Sequence, residues 1–140
     1  MADTSLGFRF KYRLCGARPT IQTLTIKDTE TLTKGDLVNL ETGEIDLGAT
    51  NDTAFVGAVQ ETKAGTDSVT TYKVITDWDA VYEVYDANAR VIGATLDIAG
   101  TTGAMTVAAS SNVDLLVVAD STASEPTLVM IAHGEHWQQP

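Results

Sequence analysis

"KGDLVNLETGEIDLGATNDTAFVGAV", residues 34–59, sets the reading of the whole chain. A glycine leads into a strand-like run at 36–40. The segment "LETGEI" (40–45) then places Gly43 where a tight hairpin needs a residue tolerant of positive φ. An apolar return strand follows at 44–47, then a polar loop, then the buried-looking strand at 54–60.

The device recurs in "IGATLDIAGTTGAMTVAASSNVDLLVVAD", residues 92–120. Gly43 matches Gly103, "ATND" at 49–52 matches "ASSN" at 109–112, and the run 55–59 matches 115–119, at an offset of 60. The likeness is an internal quasi-repeat. A true duplication and an ordinary β meander would both produce it. Either one favours strands and turns over helices.

Working outward, the remainder shows short runs rich in Val, Ile, Thr and Tyr, separated by Gly, Asn, Asp, Ser and Thr clusters. The pattern predicts strands at 7–14, 20–27, 36–40, 44–47, 54–60, 69–76, 80–85, 94–98, 104–107, 113–119 and 127–133. The one helix candidate is "DANAR", 86–90. A chain of 140 residues with 44% hydrophobic and 20% charged residues is long enough for one globular core. No run approaches the roughly 18 apolar residues of a bilayer span. The basic start is interleaved with aromatics, so no export signal is expected.

Charge is unevenly placed. Residues 1–20 carry Arg9, Lys11, Arg13 and Arg18 against Asp3, a balance of +3. Residues 21–140 carry five cations against eighteen acids, a balance of −13. A polyanionic body repels a phosphate backbone, and four cations are few to overcome it. Alternation in "GFRFKYRLCGARP" (7–19) sets Phe8, Phe10, Tyr12 and Leu14 on one face of an extended strand and Arg9, Lys11 and Arg13 on the other. Such a ribbon suits strand addition to a protein edge. It suits equally a first strand of the chain's own barrel, and a nucleic-acid or membrane role is the third alternative.

Chemistry-bearing motifs are few. "HGEH" (133–136) offers two imidazoles three residues apart, without the i, i+4 helical spacing and distant ligand of a zinc site, and is expected to be an exposed tail or a subunit contact. Asp77, Asp79, Glu83 and Asp86 lack the ordered spacing of a calcium loop. Asp77 and Asp79 read as turn residues and Glu83 as solvated or interfacial. The one cysteine, Cys15, has no partner for a disulfide or a zinc knuckle and reads as a small buried or half-buried residue. Of the two tryptophans, Trp137 is the better contact candidate and Trp78 is core or contact. Gly-rich segments lack the lysine and following helix of a phosphate loop. Neither an enzyme nor a cofactor is expected.

The glycine-led strands of 33–59, the central "DAVYEVYDANARVIGATLDI" and the closing "SEPTLVMIA" resemble the head decoration (capsid cement) proteins of tailed bacteriophages, over roughly residues 20–133. The resemblance implies a structural protein on the outer surface of a virion head, assembled in the host cytoplasm, with the major capsid protein as partner and a homotrimer as the common form. The expected fold is all-β, a small β-barrel or sandwich (β-tulip-like) with at most one short helix and an extended N-terminal arm. The expected division is an arm at 1–20, a β domain at 21–133 and a tail at 134–140. Expected contacts with capsid or a neighbouring protomer are Phe8, Arg9, Phe10, Lys11, Tyr12, Arg13, Arg18 and Trp137. Removing residues 1–19 should then leave the β domain folded. The alternative is a β-barrel binding module for nucleic acid or carbohydrate.

Overall fold

The computed structural model describes residues 7–27, 29–50, 52–66, 68–109 and 112–138, and among them the chain is all-β, without a helix. The strands are β1 (Arg9–Arg13), β2 (Ile21–Thr25), β3 (Thr31–Leu32), β4 (Leu37–Glu41), β5 (Glu44–Leu47), β6 (Phe55–Ala58), β7 (Lys63–Ala64), β8 (Thr71–Ile75), β9 (Ala80–Asp86), β10 (Thr95–Ala99), β11 (Thr106–Ala109), β12 (Leu115–Val117) and β13 (Glu125–Ile131). All eleven expected strands form. The pattern misses only the two-residue partners β3 and β7, too short to show a period. "DANAR" is a turn rather than a helix. The buried Asp86 carboxylate accepts Asn88 N–H at 3.0 Å and Arg90 Nε at 2.7 Å, bending the chain back on itself.

Antiparallel ladders build a six-stranded sheet in the order β1-β9-β13-β12-β10-β11, a three-stranded sheet β5-β4-β6, and the pairs β2-β8 and β3-β7. The six-stranded sheet coils until its ends meet. Gly7 N donates to Met105 O at 2.8 Å, and Thr106 Oγ1 donates to Tyr85 O at 2.7 Å. Single bridges, Val59 with Val74 and Ile26 with Ile45, join the smaller sheets. No ladder closes, so the architecture is a sandwich and not a closed barrel.

Two apolar cores result, and β4 with β6 forms the wall between them. Leu37, Phe55 and Ala58 face the first core with Tyr82, Val84, Leu96, Leu115 and Val129. Val38, Val56 and Val59 face the second with Ile26, Ile45, Tyr72 and Val74. This is why 55–59 is apolar throughout. The wall needs Gly57, because a β-carbon there would fall on the Ile75 carbonyl oxygen and stand 2.6 Å from Tyr82 Oη.

The quasi-repeat is structural. In each copy a hairpin (β4-β5, β10-β11) is joined by a third strand that pairs with the free edge of the hairpin's first strand (β6 on β4, β12 on β10). Thr42 (φ 52°) and Gly43 (φ 82°) make the first turn between paired Glu41 and Glu44. The second loop, 100–105, is four residues longer, so the offset is 58 on the central strand and 62 on the return strand, in place of a uniform 60. The offset of 58 aligns two buried clamps. Asn39 Oδ1 accepts Ala54 N–H at 3.1 Å, and Asp97 Oδ1 accepts Asn112 and Val113 N–H at 3.0 Å each. Each clamp fixes the chain just before the third strand.

Candidate protein-docking surface

Residues 9–13 are extended, as their alternation requires, and their ladder partner is the chain's own β9. Phe8 is buried in the first core, and Phe8 and Phe10 both stand edge-on to Tyr82 with ring centres 6.4 Å apart. Of the alternatives left open by the sequence, the first-strand placement is the one seen. Removing residues 1–19 would strip an edge strand and a core aromatic, which predicts a destabilised remainder in place of an intact one. Residues 1–6 of the expected arm lie outside the described residues.

The two-faced ribbon is interrupted. Phe10 pairs with Tyr82 and Tyr12 with Val81, so Lys11 is an extra residue, a β-bulge. The bulge moves Tyr12 to the outer face, where it is 42% exposed. It also brings Arg13 opposite Ala80, a first-core residue. An arginine turned toward a core needs counter-charge, and the turn 77–79 supplies it. Arg13 Nε lies 2.8 Å from Asp79 Oδ1, and Nη1 lies 3.5 Å from Asp77 Oδ1.

The two remaining β1 cations share one acid of the same domain. Arg9 Nε is 3.1 Å, and Lys11 Nζ 3.5 Å, from the Glu83 carboxylate. The expected cationic face is thus largely spent within the molecule. Glu83 is the half-buried centre of that pairing, and Asp77, Asp79 and Asp86 are held by arginines or backbone N–H groups; among the described residues no three candidate ligands converge on a metal position.

Asp77 and Asp79 do more than turn the chain. Both are buried, and together they hold the β1–β2 connection. Thr20 N donates to Asp77 Oδ2 at 2.6 Å and Cys15 N to Asp79 Oδ2 at 3.3 Å, while Leu14 N donates to Asp79 O at 3.0 Å. Burial alone would raise the Asp79 pKa. The hydrogen bonds from Arg13 and Cys15 outweigh it, and the net displacement is downward. Cys15 is exposed rather than buried, because this clamp carries the loop over the surface.

Between the two aspartates stands Trp78, 40% exposed; Leu14, 53% exposed, donates its N–H to Asp79 O, and Ile21, 50% exposed, pairs with Ile75. Exposed apolar side chains held on a tied-down loop are candidates for a contact surface. Sequence reasoning ranked Trp78 below Trp137. The local signal was "DWD", a tryptophan whose neighbours are both turn-forming acids. Arg18 is exposed and makes no ion pair among the described residues; its carbonyl accepts Arg13 Nη1 at 3.3 Å.

The C-terminal segment is docked rather than trailing. Phe55 N donates to Glu135 O, and Trp137 N donates to Phe55 O at 3.0 Å. His136 is buried: Nε2 donates to Val56 O at 3.0 Å while Nδ1 accepts Gln138 N–H at 3.0 Å, a pattern that needs the neutral ring. Burial pushes its pKa down to about 4. His133 is exposed, so "HGEH" separates into a core staple and a surface residue. Trp137 is half-buried, donates Nε1 to Thr76 O at 3.3 Å, and walls an apolar groove with Leu24, Leu40 and Val56. Residues 139–140 lie outside the described residues.

No protein-family model and no curated protein matches the chain. Among solved structures it is similar to the N-terminal base of head fibre gp8.5 of bacteriophage phi29, at 17% identity, with 81% of this chain and 95% of that chain covered and a TM-score of 0.45. A likeness of that size assigns neither a fold family nor a function.

Proposed function

We propose that the protein is a structural decoration (cement) protein of a tailed-bacteriophage head. In this reading it binds the outer surface of the shell, meets the major capsid protein, works as a homotrimer, and has neither nucleic acid nor membrane as a partner. The observation that carries the reading is the state of the N-terminal strand. Its strand cations are paired with Glu83, Asp77 and Asp79, and what remains outward around it is mainly apolar, Tyr12, Leu14, Ile21 and Trp78, beside the exposed Lys11 and Arg18. Such a surface suits a protein partner and not a phosphate backbone, whose affinity comes from unspent cations. The quasi-repeated glycine-led strands carry the resemblance to cement proteins, and the docking region is 7–20 with Trp78.

The test uses heads that lack the protein. Purified protein is incubated with them, the heads are sedimented, and bound copies and heat resistance are measured. Saturable binding with a raised rupture temperature is expected. Heads that remain bare at saturating protein would overturn the proposal.

A further inference from the structure

We propose that Trp78 of one copy seats in the apolar groove of a second copy, with Leu14 and Arg18 at the groove's rim, so that copies join head to tail. The groove is lined by Gln22, Leu24, Leu40, Val56 and Trp137 beside the Gly43 turn, and has a volume of about 170 Å³, room for one large apolar side chain. On another part of the same surface, Leu14 and Trp78 are half exposed on a loop pinned by two buried aspartates. A fixed apolar projection and an apolar recess on one chain make a heterologous contact.

Charge selects the same pairing. The projection carries Arg18, exposed and without an ion pair among the described residues. The recess is edged by Glu44 at the end of its turn, while Glu41 on the other side is already paired with Lys27 at 2.6 Å. Arg18 of one copy thus meets Glu44 of the next, in a chain whose body is strongly anionic.

The projection and the groove adjoin. Thr76 N donates to Thr20 O, and Thr76 O accepts Trp137 Nε1, so the groove wall and the loop that carries Arg18 share one residue, with Trp78 two positions further on. A heterologous contact gives a ring where the rotation between copies closes and a filament where it does not, and the sedimenting species distinguishes the two. The inference deepens the oligomer of the reading above. It rests on that reading only for the oligomer's use on a shell, because self-association is measured on the free protein.

The test is sedimentation velocity of the full chain up to about 100 µM, a range that detects weak self-association. The wild type is expected to self-associate. Trp78→Ala should weaken it about 30-fold, the scale of a buried aromatic anchor. Gln22→Trp, which plugs the groove from an exposed strand position, should weaken it similarly, and mixing these two variants should give heterodimers, since each retains one intact half. Arg18→Glu should weaken association and Glu44→Lys should restore it in the double variant. Circular dichroism identifies any variant that fails to fold, and the charge pair then serves alone. A monomeric wild type, an oligomer indifferent to both Trp78→Ala and Arg18→Glu, or variants that never complement overturns the proposal. So does a monomer whose head binding depends on Trp78, which would assign the projection to the shell.

Discussion

Replacing Asp46 by asparagine is expected to stabilise the protein near pH 7.5, by an amount that fades as the pH falls. Asp46 is half-buried in β5, and its Oδ1 has no hydrogen-bond partner. Burial, then repulsion from Glu41 and Asp52, raises its pKa from 3.8 to about 6, with Lys27 offsetting part of the repulsion. A carboxyl whose folded pKa lies above its unfolded one holds a proton in the folded state between those values. The ionised form therefore costs stability above pH 6, and the cost is relieved as the pH falls from 6 toward 3.8. At full weight the displacement corresponds to about 3 kcal/mol. Solvent reaches this side chain and screens it, so about 1 kcal/mol is the working figure.

His136 acts with the opposite sign. Its folded pKa of about 4 lies below the ordinary 6.5, so the unfolded chain takes up a proton first and stability is lost as the pH falls from 6.5 to 4. The side chain is 1% exposed, and the loss over that window is about 3 kcal/mol. In the wild type the two effects partly cancel. In Asp46→Asn the His136 loss stands uncovered and the acid-side slope steepens. Urea denaturation followed by tryptophan fluorescence at several pH values between about 7.5 and 4.5 reads both effects. A variant no more stable than wild type near pH 7.5, or one whose advantage is the same at every pH, refutes the reasoning.

Phe8→Ala is expected to cost about 3–5 kcal/mol in urea denaturation, because it empties a core position beside Tyr82; a loss under about 1 kcal/mol would mean that the N-terminal strand is detachable. Gly57→Ala should cost about 3 kcal/mol or more, since the added carbon meets the Ile75 carbonyl and Tyr82 Oη inside the wall between the cores, and a neutral result would place that wall wrongly. Retention on immobilised DNA should be absent even at about 50 mM salt, because Arg9, Lys11 and Arg13 are already paired; strong retention that collapses with salt would return the chain to the nucleic-acid alternative.

The fold was legible where local chemistry and burial agree. Gly43 announced its hairpin because only a residue at ease with positive φ fits there, and 55–59 announced a buried strand because both of its sides face a core. The two clamps at Asn39 and Asp97 were invisible, since a buried polar side chain that ties a distant loop leaves no period in the sequence. The N-terminal strand was legible as a strand and misjudged as a face. Its alternation is real up to Phe10, and one bulged residue, Lys11, then exchanges the sides. Nothing in "FRFKYR" encodes that bulge; it follows from the register with β9 and from the acids waiting at 77 and 79. His136 misled for a related reason, because its burial depends on strand β6, eighty residues earlier in the chain.

Electron cryo-microscopy of parent heads incubated with the purified protein tests the central claim most directly. The account predicts β-domain density on the outer surface, with the first strand still paired to β9 in its own sheet and the end bearing Leu14 and Trp78 in contact with protein. Bare heads, or a first strand peeled from its sheet into the shell, would contradict it.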